Sequence, residues 1–217
     1  MMLTPAPHSA LILVDVQPDF MPGGPLACYE GQRITGPIQA LLESTPFDHY
    51  VATQDWHPQN HISFVTQHPG QKPFASIMLY QQPQTLWPEH CVVGTQGAQL
   101  HPDIDWHRMD LILRKGNHPE VDSYSAFQEN HGPDGQRPST GLGAWLRDRG
   151  VRHVYVAGLA RDVCVLWTAL DAKRLGFRVH FLWDLTAPVT PDTDAQTAAT
   201  LTQHGIEIIR SESDSHL

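Results

Sequence analysis

Residues 154–172 read VYVAGLARDVCVLWTALDA and combine a strand, a tight turn and a helix around one cysteine. The stretch begins as an apolar, β-branched run, which is typical of a buried strand in a parallel sheet. It turns through Gly158 and then follows a helical pattern with Cys164 in the first turn. The positive end of a helix dipole favours a thiolate. A buried structural cysteine explains this segment equally well, because free cysteine is among the most buried residue types.

The composition is that of a globular protein without a surface for nucleic acid or membrane. Hydrophobic residues make up 41% and charged residues 17% of the 217 positions, so we expect one domain over residues 1–217. The net charge of −9 argues against anionic partners, which require clustered lysine and arginine. We expect neither a membrane span nor a secretory signal. Three cysteines without a C-x-x-C motif indicate a cytoplasmic protein.

Strands and helices alternate along the chain, which predicts a doubly wound α/β fold. The predicted strands are residues 9–16, 49–54, 109–113, 151–157, 177–183 and 205–210. The predicted helices are residues 33–44, 139–149, 162–175 and 190–203. Right-handed crossovers favour a mainly parallel six-stranded sheet in the order 3-2-1-4-5-6, with helices on both faces. A small β/α barrel is the alternative, but six strands do not supply its eight βα units.

Residues 56–105 form a long excursion with little periodicity and many histidine, proline and glutamine residues. Such a long loop is usually functional, and we expect it to carry site residues on a few short helical turns. Asp55 and His57 form a D-x-H pair where the second strand ends, and His90 supplies a third candidate ligand. This donor set suits Zn²⁺, Fe²⁺ or Mn²⁺. Scattered loop histidines are the alternative, and Cys91 is expected to serve packing.

Three more polar residues are predicted at the carboxyl edge of the sheet. Asp15 ends the first strand, Lys115 ends the third, and Cys164 opens the helix after the fourth. Open α/β folds bind ligands at this edge. A cysteine nucleophile, a carboxylate that moves its proton and an amine that stabilises negative charge form a coherent set. Taken singly, Asp15 also fits a turn cap and Lys115 a solvated amine.

Five segments in order resemble the nicotinamidase branch of the isochorismatase-like (cysteine hydrolase) superfamily. They are LILVDVQPDFMPGGPLA at 11–27, TQDWHPQNHISF at 53–64, LWPEHCVVGTQGA at 86–98, LRKGNHPEVDSYSAF at 113–127 and VAGLARDVCVLWTALDA at 156–172. The resemblance covers nearly the whole chain. It implies the isochorismatase-like hydrolase fold and the hydrolysis of nicotinamide to nicotinate and ammonia through a cysteine thioester. It also implies cleavage of pyrazinamide and a place in NAD salvage.

The resemblance also implies roles for individual residues. Asp15, Lys115 and Cys164 match the family's catalytic triad. The backbone N–H groups of Ala160 and Cys164 match its oxyanion hole, in a turn that has a non-proline cis peptide bond.

A second matched group binds the substrate ring. Asp55, His57 and His90 match the ligands of one divalent metal ion, with zinc expected first and iron or manganese as alternatives. In the family this metal holds the pyridine ring nitrogen, directly or through water. Phe20 and Trp87 match the aromatic residues that sandwich the ring, and Tyr124 lies in a segment that lines the site.

Two residues depart from the family's pattern. Arg161 stands where many relatives have threonine, and we expect it to point to solvent rather than add charge near the thiolate. His61 is a candidate fourth ligand or a support behind the ligands. Relatives are often homo-oligomers, which is our expectation here by analogy.

Other functions remain open at this stage. A related cysteine hydrolase could act on a carbamoyl or ureide substrate, although such relatives generally lack the metal cluster. Vinyl ether hydrolysis of the isochorismatase type needs no cysteine, so Cys164 argues against it. A binding module without turnover is disfavoured by candidates for every catalytic role.

Overall fold

A six-stranded parallel sheet forms the centre of the molecule, in a computed structural model that describes residues 3–210. Its strands are β1 (Ser9–Val14), β2 (His49–Asp55), β5 (Leu111–Lys115), β6 (His153–Leu159), β7 (Arg178–Ala187) and β8 (Glu207–Ile209). They lie in the order β5-β2-β1-β6-β7-β8, which corresponds to the predicted order 3-2-1-4-5-6. The doubly wound fold is therefore confirmed.

The central strand β1 is buried along its whole length because it has a core on each face. It pairs with β2 on one side and β6 on the other. Leu11 and Leu13 pack into one hydrophobic core, whereas Ile12 and Val14 pack into the opposite one. This alternation follows from the two-residue period of a strand.

Helices cover both faces of the sheet, as predicted. They are α1 (Thr35–Ser44), α2 (Leu142–Asp148), α3 (Leu166–Arg174) and α4 (Asp194–Gln203). α1 packs on one core, and α2, α3 and α4 pack on the other. All four α-helices begin later than predicted. In three of them a turn of another width comes first: a 3₁₀ turn before α1 and before α4, and a π-helical turn, Arg161–Val165, before α3. Within residues 3–210, no helix is long and apolar enough to cross a membrane.

The long excursion contains a β-hairpin where only helical turns were expected. β3 (Ser76–Leu79) and β4 (Gln82–Thr85) pair in antiparallel fashion. The turn between them consists of Tyr80 and Gln81, both with positive φ, +49° and +62°. Such turns normally carry asparagine or glycine, and β4 contains a proline, so the sequence lacks the usual hairpin signal.

Gly158 allows β6 to lie against the end of β1 next to the site. A Cβ atom here would lie 2.1 Å from the carbonyl oxygen of Val14, and the φ of Gly158 is +115°. Glycine is therefore required by both space and backbone conformation.

We expect Gly158→Ala to lower the free energy of unfolding by about 1–3 kcal/mol or more, because it adds a backbone clash and strain. The matched control is Gly36→Ala in α1, where a Cβ atom meets nothing within 4 Å. That change should raise stability by up to about 1 kcal/mol. Urea denaturation of both variants checks this, and equal stabilities would contradict it.

Candidate active site

Asp15, Lys115 and Cys164 meet at the carboxyl edge of the sheet. Asp15 follows β1 with a positive φ of +47°, Lys115 ends β5, and Cys164 lies in the π-helical turn after β6. The Lys115 Nζ atom lies 2.8 Å from Asp15 Oδ2 and 3.6 Å from Cys164 Sγ. A carboxylate oxygen of Asp15 and the Cys164 sulfur are within 4.8 Å. The structure thus brings the three predicted residues together.

Asp15 is fully buried beside the thiol. Burial raises its pKa to about 6, the charge of Asp55 adds to that rise, and Lys115 opposes it. Thr53 Oγ1 donates a hydrogen bond of 2.6 Å to Asp15 Oδ1, which leaves Oδ2 to face the lysine. A carboxyl group with a pKa near neutrality can both accept and return a proton.

Cys164 is held as a thiol rather than as a standing thiolate. Burial raises its pKa well above the usual value, and the carboxylates of Asp15 and Asp55 add to this, while Lys115 opposes it. The thiolate favoured by the helix dipole is therefore not the resting form. The sulfur needs a base, and Asp15 is the neighbouring group that can serve.

The Lys115 side chain joins this group to a second one. Its ammonium contacts both Asp15 Oδ2 and Asp55 Oδ1 and donates to the Ser123 carbonyl oxygen at 3.1 Å. Burial opposes its charge, but the two carboxylates outweigh burial and raise the pKa of Lys115 well above its usual value. A permanently charged lysine sits between two buried carboxylates.

Asp55, His57 and His90 converge on one point with metal-ligand geometry. Asp55 Oδ2 lies 3.3 Å from His57 Nε2 and 3.7 Å from His90 Nε2. His57 Nδ1 donates to the Gly116 carbonyl oxygen and His90 Nδ1 to the Pro88 carbonyl oxygen, each at 2.8 Å. These bonds leave both Nε2 lone pairs for a cation. The residues therefore fit a divalent metal with one carboxylate and two imidazole ligands.

His61 is placed beside this cluster but both of its ring nitrogens have protein partners. Nδ1 lies 2.8 Å from Ser63 Oγ, and Nε2 lies 3.2 Å from the Val121 carbonyl oxygen. Its ring centroid is 4.2 Å from that of His57. Burial and the neighbouring His57 lower the pKa of His61 to about 4. This geometry favours the supporting position over direct ligation.

Three aromatic residues line the cavity next to Cys164 and the candidate metal ligands. They are Phe20, Trp87 and Tyr124. Trp87 Nε1 donates to the Tyr124 hydroxyl at 3.2 Å, and Gln84 Nε2 donates to it at 3.1 Å. Gln84 comes from the unexpected hairpin, so no sequence signal could have assigned it here.

Asp19 is another contributor that sequence reasoning missed. Its Oδ2 atom accepts a 2.7 Å hydrogen bond from the backbone N–H of Cys91, next to His90. A Cβ atom on Gly97 would lie 1.9 Å from Asp19 Oδ1, so the glycine makes room for this contact. Asp19 thereby ties the Phe20 loop to the His90 loop.

The turn before Cys164 contains the expected cis peptide bond, between Leu159 and Ala160. Ala160 and Cys164 both line the cavity. The Ala160 carbonyl oxygen accepts hydrogen bonds from Val163 and Val165 N–H at 3.1 and 3.0 Å, which fixes the turn.

The prediction that Arg161 points to solvent is wrong. Arg161 is only 8% exposed, and its guanidinium is bonded to Asp194, Thr186 and the Trp183 carbonyl oxygen. A buried guanidinium persists when each donor finds an acceptor, and the β7–α4 connection supplies them.

The isochorismatase domain family matches residues 9–213. The chain belongs to the isochorismatase family. The nicotinamidase of Acinetobacter baylyi is 47% identical to this chain over 193 residues, which cover 89% of this chain and 87% of that protein. The structure of an Acinetobacter baumanii nicotinamidase/pyrazinamidase aligns with a TM-score of 0.87 and 44% sequence identity. The aligned part covers 94% of this chain and 97% of that chain. A structure of PnC1 from L. infantum in complex with nicotinate has a TM-score of 0.83 and 40% identity, and covers 98% of each chain.

We expect Lys115→Met to lower the free energy of unfolding by about 3–5 kcal/mol, because it leaves two buried carboxylates without their cation. The matched control is Lys173→Met, which removes only a surface bond to the Gly205 carbonyl oxygen and should cost about 1 kcal/mol or less. Urea denaturation at pH 7 with a chelator present measures both.

The stability deficit of Lys115→Met should shrink as the pH falls from 7 to 5, because without the lysine Asp15 titrates above its wild-type pKa of about 6. Without the lysine, the pKa values of Asp15 and Asp55 rise, so the folded variant gains protons that the unfolded chain does not yet bind. A deficit that is constant from pH 7 to pH 5 would refute the buried-charge explanation.

Proposed function

We propose that this chain hydrolyses nicotinamide to nicotinate and ammonia, and that it also cleaves pyrazinamide. The observation that carries the proposal is one cavity lined both by Cys164, which lies against Lys115 and Asp15, and by a carboxylate–imidazole cluster. The first group is suited to nucleophilic attack on a carboxamide. The second is suited to hold a metal ion that binds the nitrogen of a heteroaromatic ring. Curated relatives at high identity bear the name nicotinamidase.

In the first half of the reaction, Asp15 accepts the thiol proton as the Cys164 sulfur attacks the carboxamide carbon. The carbonyl electron pair moves to oxygen, where the backbone N–H groups of Ala160 and Cys164 stabilise it. One such donor is worth about 3–4 kcal/mol when tested by deletion. Lys115 stabilises negative charge on the sulfur and on Asp15. The C–N bond then breaks, ammonia leaves with the proton from Asp15, and a thioester remains.

In the second half, a water molecule attacks the thioester carbon while Asp15 takes one of its protons. The tetrahedral intermediate collapses, the C–S bond breaks, and the sulfur recovers the proton from Asp15. The product leaves as nicotinic acid, which gives its carboxyl proton to water to become nicotinate, and the thiol is restored. Asp15 thus serves as base and acid in turn, which its pKa of about 6 permits.

Asp55, His57 and His90 would hold one divalent metal ion, for which we propose zinc, with iron or manganese as alternatives. Such an ion supplies a Lewis-acid partner for the ring nitrogen and orients the ring. A pyrazinamidase of Pyrococcus horikoshii has been solved in complex with zinc; it is 33% identical, with a TM-score of 0.73, and covers 94% of this chain and 100% of its own. Phe20 and Trp87 would stack on the ring, and Tyr124 would hold Trp87 in place.

The proposal also covers domain organisation, location and assembly. We infer a single domain over residues 1–217 with the metal-site excursion at about 56–105, since the family matches nearly all of the chain. The free, buried cysteines fit a cytoplasmic location, and NAD salvage would be its context. A homo-oligomer is inferred from family analogy alone.

We expect Cys164→Ala to reduce ammonia release from nicotinamide by on the order of 10³-fold or more, because the nucleophile is gone. The matched control is Cys28→Ala, which removes another buried thiol and should keep the wild-type rate. An enzyme-coupled ammonia assay measures both. Full activity of Cys164→Ala would overturn the mechanism, and an inactive wild-type enzyme with bound metal would overturn the function.

We expect His90→Ala to lose its bound metal, since it removes one of three protein ligands. Affinity should fall by about 100-fold or more, beyond the effect of losing a supporting residue. Elemental analysis of the purified protein and titration with a chromogenic chelator measure this. The exposed His204 provides the control, His204→Ala, which should retain the metal. Equal metal content in both variants would show that the cluster is not the site.

A further inference from the structure

The buried Arg161 guanidinium uses all three of its nitrogen atoms in hydrogen bonds to one region of the fold. Its Nη1 atom lies 2.8 Å from both carboxylate oxygens of Asp194. Nε donates to Thr186 Oγ1 at 2.8 Å, and Nη2 donates to the carbonyl oxygens of Thr186 and Trp183 at 2.7 and 3.3 Å. The guanidinium also lies over the Trp183 ring, 4.2 Å from its centroid. These partners belong to the end of β7 and the start of α4.

Asp162, the next residue, ties the same turn to the same region. Its Oδ1 atom accepts from the backbone N–H of Val189 at 2.9 Å, and its Oδ2 atom accepts from Thr193 Oγ1 at 2.7 Å. Val189 lines the cavity together with Ala160 and Cys164. The side chains of Arg161 and Asp162 therefore both attach the turn to the segment that runs from the end of β7 to the start of α4.

The turn that these two side chains hold, Ala160–Cys164, contains both proposed oxyanion donors. Ala160 directly precedes Arg161, and Cys164 lies three residues after it in the same π-helical turn. A π turn is rare and occurs mostly at functional sites, and here the side chains of Arg161 and Asp162 add outside contacts to the bonds that the turn makes within itself. Arg161 supplies more of these contacts than any hydroxyl could, because a planar fork with five donors binds several acceptors at fixed angles.

We propose that Arg161 is a positioning residue: its contacts with Asp194, Thr186 and Trp183 hold the Ala160–Cys164 turn so that both backbone N–H groups aim at the substrate oxygen. This inference rests on the proposed amide hydrolysis. Arg161 itself touches no substrate atom. Its effect is on the transition state, where the oxygen becomes negative, and not on binding of the ring.

The test compares Arg161→Met with the wild-type protein in nicotinamide turnover. We expect kcat to fall by roughly 10- to 100-fold with KM nearly unchanged, since small displacements of oxyanion donors weaken only the transition state. Arg149→Met is the matched control. Arg149 also lies over a tryptophan, 3.9 Å from the Trp145 ring centroid, but on the exposed side of α2. This control should keep the wild-type kcat.

Two inhibitors separate positioning from a general loss of structure. Nicotinaldehyde forms a covalent adduct: the Cys164 sulfur bonds to the aldehyde carbon, Asp15 takes the thiol proton, and the carbonyl pair moves to the oxygen, which remains negative as in the transition state. 3-Methylpyridine has the same ring nitrogen but no carbonyl. In Arg161→Met, the inhibition constant of nicotinaldehyde should rise with the loss in kcat, while that of 3-methylpyridine should stay within about threefold.

The outcomes are distinct. An unchanged kcat in Arg161→Met, or equal weakening of both inhibitors, overturns the positioning role. If Arg161→Met does not fold, Asp194→Asn decides, because Asp194 is 35% exposed and this change removes only the charge of the partner. In Asp194→Asn, kcat should fall and the inhibition constant of nicotinaldehyde should rise by roughly three- to tenfold, while the inhibition constant of 3-methylpyridine stays unchanged. A wild-type protein that releases no ammonia refutes the proposed function instead, independently of the inhibitor comparison.

Discussion

One buried lysine holds the site together. The Lys115 ammonium, with no exposure to solvent, contacts a carboxylate from β1 and a carboxylate from β2, and lies near the sulfur that follows β6. Each carboxylate alone would be costly to bury, and two together would repel. The cation makes their burial compatible with folding. It also joins the two halves of the cavity, because Asp15 belongs to the proposed chemistry and Asp55 to the proposed metal cluster.

The parallel sheet explains why this arrangement forms. Asp55 and Lys115 are register partners on neighbouring strands, and Asp15 leaves the strand on the other side of β2. Parallel strands end at a common edge, so groups that are distant in sequence arrive within a few ångströms. The backbone carbonyl groups of Gly116 and Pro88 then select the histidine tautomer at this edge. The strand order therefore determines both the fold and the grouping of charged side chains at the site.

Residues at strand ends were predictable, whereas contacts between loops were not. Apolar runs and helical spacing located β1, β2 and Cys164, and strand order placed Asp15 beside it. The positions of Gln84 and Asp19 depend on a hairpin with an unusual turn and on a glycine that makes space, and neither has a local signature. Arg161 was misjudged because an arginine at a helix start normally extends into water. Its burial depends on acceptors more than twenty residues along the chain.

The β3–β4 hairpin is a separate two-stranded sheet that contacts residues near the pocket. Its inward residue, Gln84, reaches Asp122 and Tyr124, while its outer face carries the exposed Met78. The reacting groups, in contrast, all project from the sheet edge. A protein divided in this way can change the shape of its proposed ring pocket by altering one peripheral loop, without disturbing the charges of the proposed catalytic group. Selectivity and reactivity are therefore free to diverge separately over evolutionary time.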